Sequence, residues 1–455
     1  MTAESARWPA GAISRRHLRS FDGGVGIECE VQCPDRYAFF EPSGTGRHAI
    51  PRGAGLSYSA ASFGADAVSV EIGAFDRILA FEPAVPIVEV EAGITLGALF
   101  RFLAAHRLYL PVQPGHGAIS IGGCIAADVH GKNQARDGTF INQVEAIRLF
   151  HPDHGMVELS RTQNPDVFHA TCGGYGLTGV IVVARLRPRP MTGDAVDITT
   201  HIVPDALEGA RLLRHLARES DFVYSWHDFT RTGRGFGRGY VVAARFVTTD
   251  TASRGSSTSM KVPKLSADSP RVPPISALNR WTMPLLNFAY FQAQRRHSSP
   301  RRSTLPQSMF PVQGSESYFR LFGPAGFHEY QVILPHDGFA EFLAGVRREI
   351  ARKGIAVALA SAKLFVGAHD LLRFSGEGIC FALNIPRNQR SADFLAALDQ
   401  MTIGLGGRPN IIKDSRLPRS VLEASFPECD RFRGIVQRWD PSRRFRSELS
   451  SRLGL

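Results

Sequence analysis

The stretch that decides the reading is Pro111–Asn133, PVQPGHGAISIGGCIAADVHGKN. Gly115, Gly117, Gly122 and Gly123 stand among small residues, and the run closes on His130-Gly131-Lys132-Asn133. Glycine lets a backbone come close to a bound molecule, so this reads as a site and not as core. Two more glycine-rich stretches flank it, Ile50–Ser59 (IPRGAGLSYS) and Cys172–Gly179 (CGGYGLTG). Three such loops predict a large ligand held along its length.

Each loop has a competing reading. Gly174-Tyr175-Gly176-Leu177-Thr178-Gly179 matches G-x-G-x-x-G, but the dinucleotide fingerprint needs a strand before it and a helix after it. Here a helical stretch precedes and the strand-like GVIVVARLR of Gly179–Arg187 follows, so a backbone turn against a flat ligand fits better. Arg52-Gly53-Ala54-Gly55-Leu56-Ser57-Tyr58 offers consecutive N–H groups that can nest a pyrophosphate. No Gly-Lys-Ser/Thr follows it, which excludes a Walker A loop. His130 and Lys132 are candidates for a base and an anion-binding cation. Lys413-Asp414-Ser415-Arg416 follows a glycine-rich turn; its plain reading is a capped helix start.

At 455 residues the chain has room for two or three domains, and 44% hydrophobic residues suffice for ordinary cores. The net charge of +11 fits either an anionic partner or a solvated basic surface; no base-reading motif points to nucleic acid. Cys29, Cys33, Cys124, Cys172, Cys380 and Cys429 complete no zinc pattern and read as free thiols. The N-terminal residues show no apolar signal core, and no run reaches the ~18 apolar residues of a membrane span. A cytoplasmic or membrane-peripheral protein is expected. Leu278–Gln292 is apolar but short and broken, suited to a surface or groove.

Strand patterns fall at Ala67–Ile72, Ile87–Val90, Val144–Phe150, Phe222–Asp228, Gly239–Phe246, Glu329–Leu334 and Gly378–Ile385. Helical patterns fall at Thr95–His106, Ala206–Glu219, Phe339–Arg352 and Ala392–Met401. Residues 250–310, rich in Ser, Pro and Arg, read as a mobile loop.

RGAGLSY, PVQPGHGAISIGG, ADVHGKN and GGYGLTG, in this order and spacing, resemble the FAD-binding domain of vanillyl-alcohol-oxidase-type enzymes. AKLFVG (362–367), GIC (378–380), KDSR (413–416) and the ending DPSRRFRSELSSRLGL are similar to the flavoprotein oxidase subunit family of decaprenylphosphoryl-β-D-ribose epimerase. The resemblance covers nearly the whole chain and is weakest over 195–315. It implies an α+β architecture: a PCMH-type FAD-binding domain from residues 1–192 and 409–455, and an inserted α+β substrate (cap) domain, 193–408, with an antiparallel sheet.

It further implies FAD contacts at Arg52, Gly53, Ala54, Gly55, Leu56, Ser57 and Tyr58. Further contacts are expected at Gly117, Ile121, Gly122, Gly123, Cys124, Ala127, His130, Gly131, Lys132, Asn133, Gly174, Gly176, Thr178, Gly179 and Lys413. Lys413 and His130 are the catalytic candidates, and the assignment of the base between them stays open. Tyr330, Gln331, Lys363, Cys380 and Asn410 fall on the substrate side, and no metal is expected. Covalent relatives carry a His where Leu56 stands, so the FAD is expected to be non-covalent. Asn410, Gly378 and Glu329 depart from the family's tyrosine, asparagine and glutamine.

The implied reaction is oxidation of a secondary hydroxyl of a polyprenyl-phosphoryl pentose to a keto sugar, the first half of a ribose-to-arabinose epimerisation. A separate NAD(P)H-dependent short-chain reductase and a peripheral membrane contact go with it. Two rivals are an FAD-linked oxidase of a small free sugar, sugar alcohol or aldonolactone, and a flavin-holding scaffold.

Overall fold

The computed structural model describes residues 8–9, 12–36, 42–43, 47–231, 233, 235–248, 273–296, 300–312 and 316–455. Helices and strands are mixed, and antiparallel sheets dominate. The first sheet has four strands in the order Ile13–Arg19, Gly26–Gln32, Ala67–Glu71, His48–Arg52; its last two pairings are parallel. The second is an antiparallel five-stranded sheet ordered Gly155–Ser160, Val144–His151, Val180–Leu186, Ile87–Glu91, Ile78–Glu82.

The helix Leu96–Ala105 forms where the apolar period predicts it. Thr95 caps it by accepting from the Ala98 N–H, and Leu96, Leu99, Phe100 and Leu103 face the core beside the five-stranded sheet. The C-terminal segment returns to the first sheet. Phe445 bridges to Ala49 in parallel, and the Arg446 N–H donates to the Ala49 carbonyl at 2.9 Å. One core then unites Ile50, Tyr175 and Leu177 with Ile411, Leu422, Phe432 and Leu449, from opposite ends of the chain.

The third sheet has eight antiparallel strands: Arg301–Thr304, Ala195–Val203, Arg238–Phe246, Phe222–Asp228, Leu359–Phe365, Gly378–Pro386, Phe327–Leu334 and Arg408–Pro409. Successive side chains of a strand point to opposite faces. Tyr330, Val332, Leu334, Ala360, Ala362, Ile379, Phe381 and Leu383 enter the core shared with the helices Ala206–Leu216, Phe339–Lys353 and Gln389–Gly404. Each large apolar side chain in that layer is worth about 1.5–3 kcal/mol of burial. The intervening Glu329, Gln331, Lys363 and Cys380 stand on the other face.

The expected mobile loop over 250–310 needs correction in part. Residues 249–272 and 297–299 lie outside the described residues. The remainder is regular: Thr282–Arg295 is a helix, Arg301–Thr304 pairs with Ala195–Ile198, and Leu305–Met309 is a short helix capped by Thr304. Composition concealed an amphipathic spacing, because Met283, Asn287 and Phe291, at i, i+4 and i+8, are the buried stripe that seats the longer helix. Among the described residues, no helix is long and apolar enough to cross a membrane.

Candidate active site

The loop Gly53–Ser57 leaves the edge strand His48–Arg52. The N–H groups of Gly53, Ala54, Gly55, Leu56 and Ser57 donate to no group among the described residues. Five consecutive free donors, most of them partly exposed, are what a diphosphate requires. Arg52 anchors the loop, donating to Ser62 Oγ at 2.9 Å and pairing with Glu71 at 3.4 Å. A Cβ on Gly53 would overlap Ser120 Oγ, so only glycine lets this loop meet the Ser120–Ala126 turn.

Ser120 caps the short helix Ile121–Ala126 by accepting from the Gly123 N–H at 3.3 Å. The helix splits the expected cofactor residues. Gly123 and Ala127 (i, i+4) lie on its partly exposed side, and the Gly117 carbonyl is held by the Gly97 N–H at 2.7 Å. Ile121, Gly122 and Cys124, expected beside the cofactor, face the protein interior instead. Their side is buried, and their N–H groups are spent on Ile94, Ala92 and Ser120 carbonyls. Burial also pushes the Cys124 thiol pKa far up, which leaves it inert.

Thr178 also faces the interior. It is fully buried, shares a hydroxyl hydrogen bond with Thr171 at 2.8 Å, and gives its carbonyl to Trp439 Nε1 at 2.7 Å. Gly174, Gly176 and Gly179 are tight because protein presses on them, at the Ala170 carbonyl, Pro51 and the Phe150 carbonyl respectively.

His130 stands between Phe365 and Phe374, with ring centroids 4.9 and 5.8 Å away. Its Nδ1 lies 3.1 Å from the Gly131 carbonyl. A carbonyl only accepts, so Nδ1 carries the proton and Nε2 keeps its lone pair. Gln331 Nε2 lies 3.5 Å from that Nε2 and 3.5 Å from Cys380 Sγ, while Asn410 Nδ2 donates to Gln331 Oε1 at 2.6 Å. Burial, then the charge of Lys363, push the His130 pKa well below its ordinary value, so the ring is neutral at pH 7. Burial lifts the Cys380 thiol to about 12. Lys363 lies directly opposite Cys380 in the sheet, and burial lowers its pKa.

Lys132 donates to the Ser308 carbonyl at 3.0 Å and lies over the Tyr224 and Phe222 rings; burial, then Lys363, push it down to about 7. Asn133 Nδ2 ties the strip to the Pro111 carbonyl at 2.9 Å, and a Cβ on Gly131 would crowd Asn133 and Gln113. Lys413 Nζ sits 3.6 Å over the Tyr58 ring and 3.5 Å from Glu329 Oε1.

Lys132, Lys261, Lys264, Lys353, Lys363 and Lys413 are the six lysines among 53 basic residues. Three of them gather around this site. Lysine is the compact point charge and the cation that burial can neutralise, whereas arginine stays charged.

Tyr330 is not part of the site. Strand alternation turns it to the helix layer, where it is 1% exposed and its hydroxyl meets Thr402 Oγ1 at 2.5 Å. The same alternation keeps Glu329 on the site face, as expected of a substrate-side position, and brings in Phe365 and, from a neighbouring turn, Phe374, which were not singled out as site residues. Counting by twos from Lys363 would have found Phe365.

A free-donor loop, an open helix face and a neutral imidazole ringed by lysines suit a flavin nucleotide. Residues 43–160 match the FAD binding domain family. The chain is an FAD-dependent oxidoreductase that carries an FAD binding domain. It is similar to decaprenylphosphoryl-beta-D-ribose oxidase of Mycolicibacterium smegmatis, 27% identical over 420 residues that cover 90% of each chain. An uncharacterized protein of Streptomyces coelicolor is 28% identical over 80% of this chain and 100% of its own. Mouse L-gulonolactone oxidase is 29% identical over 35% of this chain and 36% of its own.

Proposed function

We propose that this enzyme oxidises a secondary hydroxyl of a polyprenyl-phosphoryl pentose to a keto sugar, the first half of a ribose-to-arabinose epimerisation. The observation that carries the reading is the extent of the likeness. Similarity to the decaprenylphosphoryl-ribose oxidase runs through 90% of both chains, whereas the lactone oxidase matches over about a third. The reduction that completes an epimerisation falls to a separate NAD(P)H-dependent reductase.

In this reading residues 1–192 and 409–455 form the FAD-binding domain and 193–408 the cap; the core uniting Ile50 with Leu449 supports the two-ended domain. The loop Gly53–Ser57 holds the FAD diphosphate, and His130–Asn133 borders the flavin ring. Leu56 has no nucleophilic atom, so the FAD is non-covalent. Bound FAD supplies a hydride acceptor. The chain supplies the rest: the alcohol must lose its hydroxyl proton as its carbon loses hydride, and a placed base is worth about 10²–10⁴-fold. His130 Nε2 carries the ring's lone pair, met at 3.5 Å by the Gln331 amide, and takes that proton when the substrate hydroxyl displaces that contact. Gln331, locked by Asn410, aims its amide at the same point. Lys413 and Lys363 supply positive charge for the developing anion.

A lipid-anchored substrate calls for access from a membrane surface. Ile275, Trp281 and Leu285 are 76%, 73% and 72% exposed on and beside the helix Thr282–Arg295. Residues 273–312 contain no Asp or Glu and carry Arg280, Arg295, Arg296, Arg301 and Arg302. That combination suits peripheral contact with an anionic bilayer. Anaerobic reduction of the bound FAD by a polyprenyl-phosphoryl ribose tests the reading. Reduction only by free sugars or lactones assigns the enzyme to the small-substrate oxidases.

A further inference from the structure

We propose that Glu329 is a positioning residue, which holds the Lys413 ammonium over the Tyr58 ring and so fixes where positive charge stands against the cofactor loop. Four side chains from four segments form one line. Asn384 Nδ2 donates to Glu329 Oε2 at 3.0 Å, Glu329 Oε1 faces Lys413 Nζ at 3.5 Å, and Lys413 Nζ rests 3.6 Å from the Tyr58 centroid. Asn384 and Glu329 are directly paired across neighbouring strands. Tyr58 ends the cofactor loop, and Lys413 follows the Asn410 turn. The line therefore ties the eight-stranded sheet to the loop Gly53–Tyr58.

Glu329 suits the task because it is the better buried partner, 11% exposed against 28% for Lys413, and Asn384 already fixes its second oxygen. A cation over a ring alone leaves a flexible four-carbon stem free to slide across the face; a carboxylate at one edge selects one position. The other groups that bear on this pair are Lys363, Cys380 and His130 from the site and Tyr318 beyond Tyr58. Asp22 also acts on Tyr58, but its carboxylate is engaged by Arg387 and Ser415, which leaves Glu329 as the carboxylate paired with Lys413 among the described residues. The inference concerns this chain's own residues, and only its kinetic arm rests on the proposed reaction.

The test begins with Lys-selective ¹³Cε labelling of the FAD-loaded protein. Six lysines give six ε-methylene signals, and the one missing from K413R is Lys413. Its position over Tyr58 displaces that signal upfield by the ring current. E329Q keeps the side-chain shape and the acceptor for Asn384, yet should return the signal to the ordinary position, and E329D should restore part of the displacement. An unmoved Lys413 signal in E329Q overturns the proposal. In the kinetic arm, E329Q should slow anaerobic flavin reduction by polyprenyl-phosphoryl ribose roughly tenfold to a hundredfold, as a small misplacement does, with KM little changed. In a K413M background E329Q should add nothing, and additive effects overturn the proposal. If the unaltered enzyme is not reduced by that substrate, the proposed function fails, while the labelling result still decides the role of Glu329.

Discussion

Asn410 donates its side-chain amide to Gln331 Oε1 at 2.6 Å, and its backbone N–H to the Gln331 carbonyl at 2.8 Å. This double tie sets which way the Gln331 amide points, leaving its NH₂ toward His130 and Cys380. Removing one partner of a buried hydrogen bond costs about 1–3 kcal/mol, whereas replacing both by apolar groups of similar shape is nearly neutral. N410A should therefore lower the melting temperature more than the double variant Q331L/N410L. A double variant at least as unstable as N410A would contradict the pairing.

Gly53 meets Ser120 with no room for a side chain. G53A should lose most of its FAD on gel filtration, and G53A/S120A, which removes the obstructing hydroxyl, should regain it. Full FAD retention in G53A alone would show that the two loops part without cost.

Buried histidines make stability depend on pH with a definite sign. Burial lowers His130 well below its ordinary value, His227 to about 4 and His328 to about 3. The unfolded chain binds these protons at about pH 6.5, so between there and the folded values it holds more protons than the native state, and stability falls as pH falls. The contribution is fully present above about pH 6.5 and drains by about 1.4 kcal/mol per unit for each histidine below it. Thermal melts from pH 7.5 to 5.5 should show a steepening drop; H227Q should flatten part of it.

Lys132, pushed down to about 7 by burial, is cationic below that pH and neutral above it. If its charge supports the reaction, flavin reduction slows as pH rises through about 7, and K132M lacks that step. An identical pH profile in K132M would remove Lys132 from the chemistry.

Much of this was legible in the sequence. The period-two runs at Ala67–Ile72, Val144–Phe150 and Gly378–Ile385 and the 3.6-period helix near Leu96 all form where their patterns lie. They are locally consistent and need no distant partner to be recognised. What failed depended on facing. Tyr330 neighbours Gln331 in the chain but lies across the sheet from it, and Ile121 and Cys124 sit on the inner side of a helix whose outer side holds Gly123 and Ala127. Motif spacing marks a segment; only the packing layer decides which of its side chains a ligand meets. The helix Thr282–Arg295 escaped because its buried stripe is just three residues, Met283, Asn287 and Phe291, while exposed Leu285, Leu286, Phe288 and Tyr290 blur the apolar period.

The most direct test of the central claim is an anaerobic absorbance titration of the FAD-loaded protein with a polyprenyl-phosphoryl ribose. The account predicts stoichiometric loss of the oxidised flavin band, greatly slowed in H130A. An unbleached flavin with that substrate, alongside bleaching by a free sugar or aldonolactone, would contradict it.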